Sequence, residues 1–98
     1  MSLPLVLMPE ARAEFDQAFD WYECKKAGLG LDFADCVQRV FDRISAVPEI
    51  YAVVRRDVRK AGVKRFPYSV YYRIEPTQIL VLAVFHSKRD PRIWQSRV

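Results

Sequence analysis

The residues best suited to chemistry in this chain lie near its C-terminal end, where the apolar run "ILVLAVF" passes into "HSKRDPRIW". His86 is the only histidine, and an imidazole is the side chain whose ordinary pKa suits proton transfer near neutral pH. A histidine at a strand end serves equally well as a structural hydrogen-bonding group. Asp57 and Asp90 are available as partners for it or for neighbouring arginines. There is no glycine-rich phosphate loop, nucleophile elbow or zinc-ligand pattern, so the sequence calls for no cofactor and no metal. Cys24 and Cys36 fall in expected helices without CxxC spacing, which reads as two reduced, partly buried thiols.

Cations supply the stronger signal. Arg55, Arg56, Arg59, Lys60, Lys64, Arg65, Arg73, Lys88, Arg89, Arg92 and Arg97 all fall in the second half of the chain. Arg73 is informative because it interrupts the strand-like run "SVYYRI", on the side away from Tyr72. It can form a salt bridge on an open sheet face, or present a rigid guanidinium to a carboxylate or phosphate. Trp94 also has two readings: it closes the tail over the sheet, or it anchors a partner at an arginine-rich surface. The candidate interaction residues are therefore Arg73, Arg89, Arg92, Trp94 and His86.

The elements that must position them follow from periodicity. "LPLVLM" has strand length, and Pro9 then suits the first turn of a helix, with Glu10 at its positive end. Ala11, Phe15, Ala18, Phe19 and Tyr22 form one apolar helical stripe, with Trp21 to its side. Gly28 and Gly30 allow a reversal. Phe33, Val37, Val40, Phe41 and Ile44 mark a second helix that must stop before Pro48. A loop so short makes the two helices antiparallel. Beyond Pro48, "IYAVV" fits either a strand or a helical turn, while "VKRF", "SVYYRI" and "ILVLAVF" read as strands. Pro67 suits an edge or bulge, and "EPTQ" is a turn. "ILVLAVF" is apolar on both sides, as expected of a strand inside the sheet. The expected fold is thus α+β: an N-terminal helical hairpin on one face of a mainly antiparallel, twisted sheet of four to five strands.

With 98 residues, 51% of them apolar and 29% charged, the chain reads as one globular domain over 1–98. No run approaches the roughly 20 apolar residues of a membrane span, and the start lacks a basic leader, so the expectation is a cytoplasmic protein with no membrane contact. The net charge of +4 is unevenly divided. Residues 1–49 hold nine acids and five bases, whereas residues 50–98 hold eleven bases and only Asp57, Glu75 and Asp90. An acidic helical layer and a basic sheet and tail would steer anionic partners.

Taken in order, "LVLMPEARAEFDQAFDWYE", the helix up to "ISAVPE", "RRDVRKAGVKRFPYSVYYRI" and "ILVLAVFHSKRDPRIWQSR" resemble the ParE/RelE superfamily of bacterial toxins, in its ParE-like, plasmid-stabilisation branch. The resemblance spans nearly the whole chain. It implies the toxin of a type II toxin–antitoxin module, neutralised in a hetero-oligomer by a cognate antitoxin whose flexible segment wraps the toxin. ParE-like members inhibit DNA gyrase by protein binding, and RelE-like members are ribosome-dependent mRNA endonucleases. A non-toxic binding module of the same fold is the third reading. In the nuclease branch, basic sheet residues act with a C-terminal tyrosine or histidine, and Arg73 and Arg89 are similar to those basic positions. Trp94 stands near the terminal tyrosine's place, however, and indole has no titratable oxygen. His86 sits several residues earlier. The resemblance therefore points to gyrase ahead of the ribosome.

Overall fold

The computed structural model describes residues 3–98; Met1 and Ser2 of the expected domain lie outside the described residues. β1 (Leu5–Leu7) leads directly into α1 (Pro9–Lys25), which turns back into α2 (Leu29–Ala46). A 3-10 turn at Pro48–Ile50 then precedes β2 (Val53–Arg55), β3 (Val58–Gly62), β4 (Tyr68–Ile74), β5 (Ile79–His86) and a short α3 (Arg92–Gln95). The sheet has five strands in the order β1-β5-β4-β3-β2. Only β1 runs parallel to its neighbour, with Leu5 opposite Ile79; the other pairings are antiparallel. The expected α+β architecture is present, and "IYAVV" divides between the 3-10 turn and the edge strand β2.

Pro9 opens α1 because its missing N–H is not needed there, and Lys25 ends it at the negative pole. The reversal depends on both glycines. Gly28 has φ 89°, a left-handed conformation. Gly30 lies so close to α1 that a Cβ would come within 2.8 Å of the Phe19 carbonyl oxygen. Glu23 completes the corner: its carboxylate accepts from the Gly28 and Gly30 amides, both at 2.9 Å, satisfying donors that the start of α2 leaves free. Cys36 is buried on α2, but Cys24 is exposed, because it lies about 200° around α1 from the buried Tyr22.

Between helices and sheet lies the main core, containing Ala11, Ala18, Tyr22, Phe33, Val37, Val40 and Ile44 against Val70, Tyr72, Ile79, Val81 and Val84. β4 alternates as its sequence requires. β5 does not: Tyr71 faces Ala83 and Tyr72 faces Val81, so Leu82 is an extra residue, a β-bulge. The bulge turns both Leu82 and Ala83 to the outer face and returns Val84 to the helices. The outer face is not open. Val58, Tyr71, Leu82, Ala83 and Phe85 are covered by Trp94, making a second small core.

Past Val81, whose carbonyl takes the last amide of the β1 side from Met8 at 2.9 Å, no strand among the described residues covers that side of β5. Side chains take over. The Val84 amide donates to Glu14 Oε1 at 3.1 Å, and the Leu82 carbonyl accepts from Arg97 Nη1 at 3.0 Å. Glu14 and Arg97 are paired through both carboxylate oxygens, at 2.9 and 3.0 Å, with side chains only 9% and 11% exposed. This contact ties α1, the bulge and the tail together.

Two predictions come from this packing. Glu14→Ala should leave the Arg97 charge buried and unpaired, lowering stability by about 3–5 kcal/mol, the cost of breaking a buried pair; urea denaturation read by circular dichroism measures it. The second concerns alkali. Burial pushes the Tyr72 phenol up to about 12, and its hydroxyl donates to the Pro48 carbonyl at 2.6 Å. A pKa raised in the folded state means that the unfolded chain ionises first, so this stability is complete below pH ~10 and is lost as pH rises toward ~12. The melting temperature should fall across that window, and Tyr72→Phe should flatten the fall.

Candidate functional site

Two of the five candidate residues share a groove. His86 closes β5 and Arg89 follows in the next turn; with Gln17, Trp21, Tyr22, Pro67 and Tyr68 they line a cavity of about 740 Å³ between α1 and the end of the sheet. Its floor is Ala18 and Val84, and Glu14 forms one wall. Arg89 Nη1 donates to Glu14 Oε2 at 2.6 Å, and its guanidinium lies 4.5 Å from the Phe85 ring centroid. The arginine is thus aimed by α1 and β5 while its side chain remains 41% exposed.

His86 is held as firmly. Its Nδ1 accepts from the Lys88 amide at 3.0 Å, which puts the proton of a neutral ring on Nε2. Its ring meets Tyr68 edge to face at 5.0 Å. Tyr68 has its phenol pushed up by burial, and further by Tyr22 and Glu14, with Arg89 opposing. Trp21 stands at the rim, exposed, with the Lys25 ammonium 4.8 Å above its ring.

The other three candidates lie elsewhere. Trp94 is 4% exposed and stacks on Tyr71 at 4.1 Å, closing the outer core. Arg73 borders that face, bonded to Asp57 Oδ1 at 3.2 Å, with its buried Nε unpartnered. Arg92, on α3, grips Asp90 in a fork at 2.7–3.1 Å, out in solvent. That fork lowers the Asp90 carboxyl below its ordinary value, through the Arg92 side chain first and then its amide. The structure therefore brings His86 and Arg89 together, leaves Arg92 as an exposed tail cation, and uses Trp94 as packing.

Reasoning from sequence missed Glu14 and Tyr68. Glu14 sits at the centre of these contacts, its side chain only 9% exposed. A signal for it exists: Glu14 lies three residues after Ala11 and four before Ala18, on the apolar stripe itself. Tyr68 lies directly opposite His86 across the hairpin, but only through the bulge at Leu82: regular pairing from Ile74 and Ile79 would set Pro67 there instead. Among the described residues, no cluster of three histidine, cysteine, aspartate or glutamate side chains could hold a metal ion, and no helix is long and apolar enough to cross a membrane.

Comparison with known proteins gives these features a context. No curated protein matches the chain. A solved structure from the chromosomal ParDE TA system of P. aeruginosa superposes with a TM-score of 0.74 at 20% identity, covering 89% of this chain and 98% of that one. At that identity the likeness is one of fold. The family model for the ParE toxin of the type II toxin–antitoxin system parDE matches residues 5–91, which include β1, the helical hairpin, the whole hairpin of β4 and β5, and Arg89. The chain belongs to the ParE toxin family and is the toxin component of a type II toxin–antitoxin module.

Proposed function

We propose that this toxin acts by binding DNA gyrase and blocking its supercoiling activity, and that a cognate antitoxin neutralises it in a hetero-oligomeric complex, with residues 1–98 forming the toxin domain. One observation carries the choice of target. The place near the C-terminus where a nuclease needs a proton-transferring side chain is occupied by Trp94, an indole stacked on Tyr71 and 4% exposed. Inhibition by binding needs no such group. It needs oriented cations and aromatic anchors, and Arg89 and Arg92 offer the first while Trp21 and Tyr68 offer the second. Arg73, beside the outer core, adds a third cation. In this reading Trp94 contributes by holding α3 and hence Arg92 in place.

A second reading, ribosome-dependent cleavage of mRNA, draws on the groove, where Tyr68, His86 and Arg89 do meet. The same experiment separates the two: purified toxin is tested in parallel in gyrase supercoiling and in translating-ribosome assays. Dose-dependent loss of supercoiling with intact mRNA is expected. Arg92→Ala should weaken that inhibition by about fivefold, the worth of roughly 1 kcal/mol at an interface rim. It should leave thermal unfolding unchanged, because its Asp90 partner is solvent-exposed. Codon-positioned cleavage with normal supercoiling would reverse the choice of target. Inactivity in both assays would make the chain a binding module without toxicity.

A further inference from the structure

The outer edge of β1 is open. β1 ends one side of the sheet, and among the described residues no strand pairs with its far side. The Ile79 amide donates to the Pro4 carbonyl at 2.8 Å, and the Met8 amide to the Val81 carbonyl at 2.9 Å. A strand turns the N–H and C=O groups of successive residues to alternate sides. Pro4, Val6 and Met8 therefore address β5, while Leu5 and Leu7 point their polar groups outward. The usual devices that blunt a sheet edge are missing from Leu5–Leu7, which holds no charge and no bulge. Pro4 does not help, since the N–H it lacks would face β5. Val6 is 42% exposed on the outer face, and Leu5 and Leu7 sit half-buried at the margin of the core.

Beside this edge runs a groove of about 430 Å³ between β1, the start of α1 and the flank of α2. Leu5, Leu7, Phe15 and Phe41 give it an apolar wall, and the charged residues of its lining are one cation, Arg12, and one anion, Asp42. They sit at opposite ends. The Arg12 amide donates to the Met8 carbonyl at 3.0 Å, which sets Arg12 beyond Leu7. The Ser45 hydroxyl donates to the Leu3 carbonyl, which sets the last turn of α2 at the Leu5 end, with Asp42 one turn before Ser45. Neither charge is committed. Arg12 has the exposed Asp16 at 3.4 Å, a contact worth little in solvent, and Asp42 accepts from the Gln38 amide at 2.9 Å. Leu31, 60% exposed, lies on the same flank of α2, about 20° round from Gln38.

A groove with a cation at one end and an anion at the other complements itself when reversed. An antiparallel second copy, related by a two-fold axis at Val6, would exchange main-chain bonds between Leu5 and the partner's Leu7. The two Val6 residues would then face each other with Cα atoms about 4.5 Å apart, and Arg12 would meet the partner's Asp42. The other edge of the sheet lacks this property. β2 contains Arg55 and is followed by Arg56, and among the described residues neither belongs to an ion pair. A copy docked there would crowd arginines against arginines. We propose that the outer edge of β1 and the groove beside it are a self-association surface, on which two copies of this chain join through β1 into one continuous sheet.

Sedimentation velocity of the purified whole chain over a concentration series tests this directly. A monomer–dimer equilibrium with a Kd below about 100 µM is expected. Val6→Lys sets two ammonium groups face to face at the axis, and Arg12→Glu or Asp42→Lys alone places like charges together. Each should weaken the dimer at least about tenfold. Arg12→Glu combined with Asp42→Lys restores opposite charges and should recover most of the affinity, which damage to the fold would not do. Both reversals suit their helices, an acid near the start of α1 and a base near the end of α2, so the variants should keep the far-ultraviolet circular dichroism of the parent. Amide hydrogen exchange locates the contact: Leu5 and Leu7 should gain protection as concentration rises, while Val6, already bonded to β5, should not change. A monomer at every concentration up to about 1 mM, a dimer indifferent to all these variants, or protection rising at Val53–Arg55 instead would overturn the proposal. Association is read without any gyrase, so the result stands or falls independently of the target.

Discussion

The carboxylate of Glu14 is the contact on which the other parts of this toxin depend. It accepts from both terminal nitrogens of Arg97, from Arg89 and from the Val84 amide. Few places in so small a protein can hold a buried charge, since desolvation costs several kcal/mol per ion unless geometry and extra hydrogen bonds repay it. Here two guanidiniums and one backbone N–H supply the repayment. The arrangement does three things at once: it fixes α1 on the sheet, seals the part of β5 that β1 leaves uncovered, and holds the tail. It also leaves one net positive charge, carried by the half-exposed Arg89 at the groove.

The bulge at Leu82 makes this possible. A regular β5 would keep strict alternation, sending Ala83 to the helices and Val84 outward. The extra residue swaps them, fills both faces with apolar side chains and frees the Leu82 carbonyl for Arg97. Because the outer face is then apolar, it must be covered, and Trp94 covers it. The tail is therefore packed in its middle and charged at its edges. Trp94 is committed to packing, while Arg92 stays in solvent and Arg97 turns inward to Glu14.

This division also sets which surfaces stay free. Neither sheet face is open over its centre, and oriented cations are left at the margins: Arg89 in the groove beside α1 and Arg92 on the exposed turn of α3.

Much of the architecture is legible from residues alone. The helical stripes, the stop before Pro48, the alternation of "SVYYRI" and the doubly apolar "ILVLAVF" determine two helices on a hairpin-built sheet, because each pattern records burial on a local period. The charge division between the halves and the cation-rich end were legible for the same reason, being properties of composition. The partners of those charges were not. Glu14 lies 75 residues from Arg89 and 83 from Arg97, and no local period connects groups so far apart. Nor could sequence decide that Trp94 would be packing, that a bulge would shift the phase of β5, or that β1 would run parallel beside it. Those outcomes depend on which strand edges and faces the assembled sheet leaves uncovered, and that is settled only when distant segments compete for the same space in three dimensions.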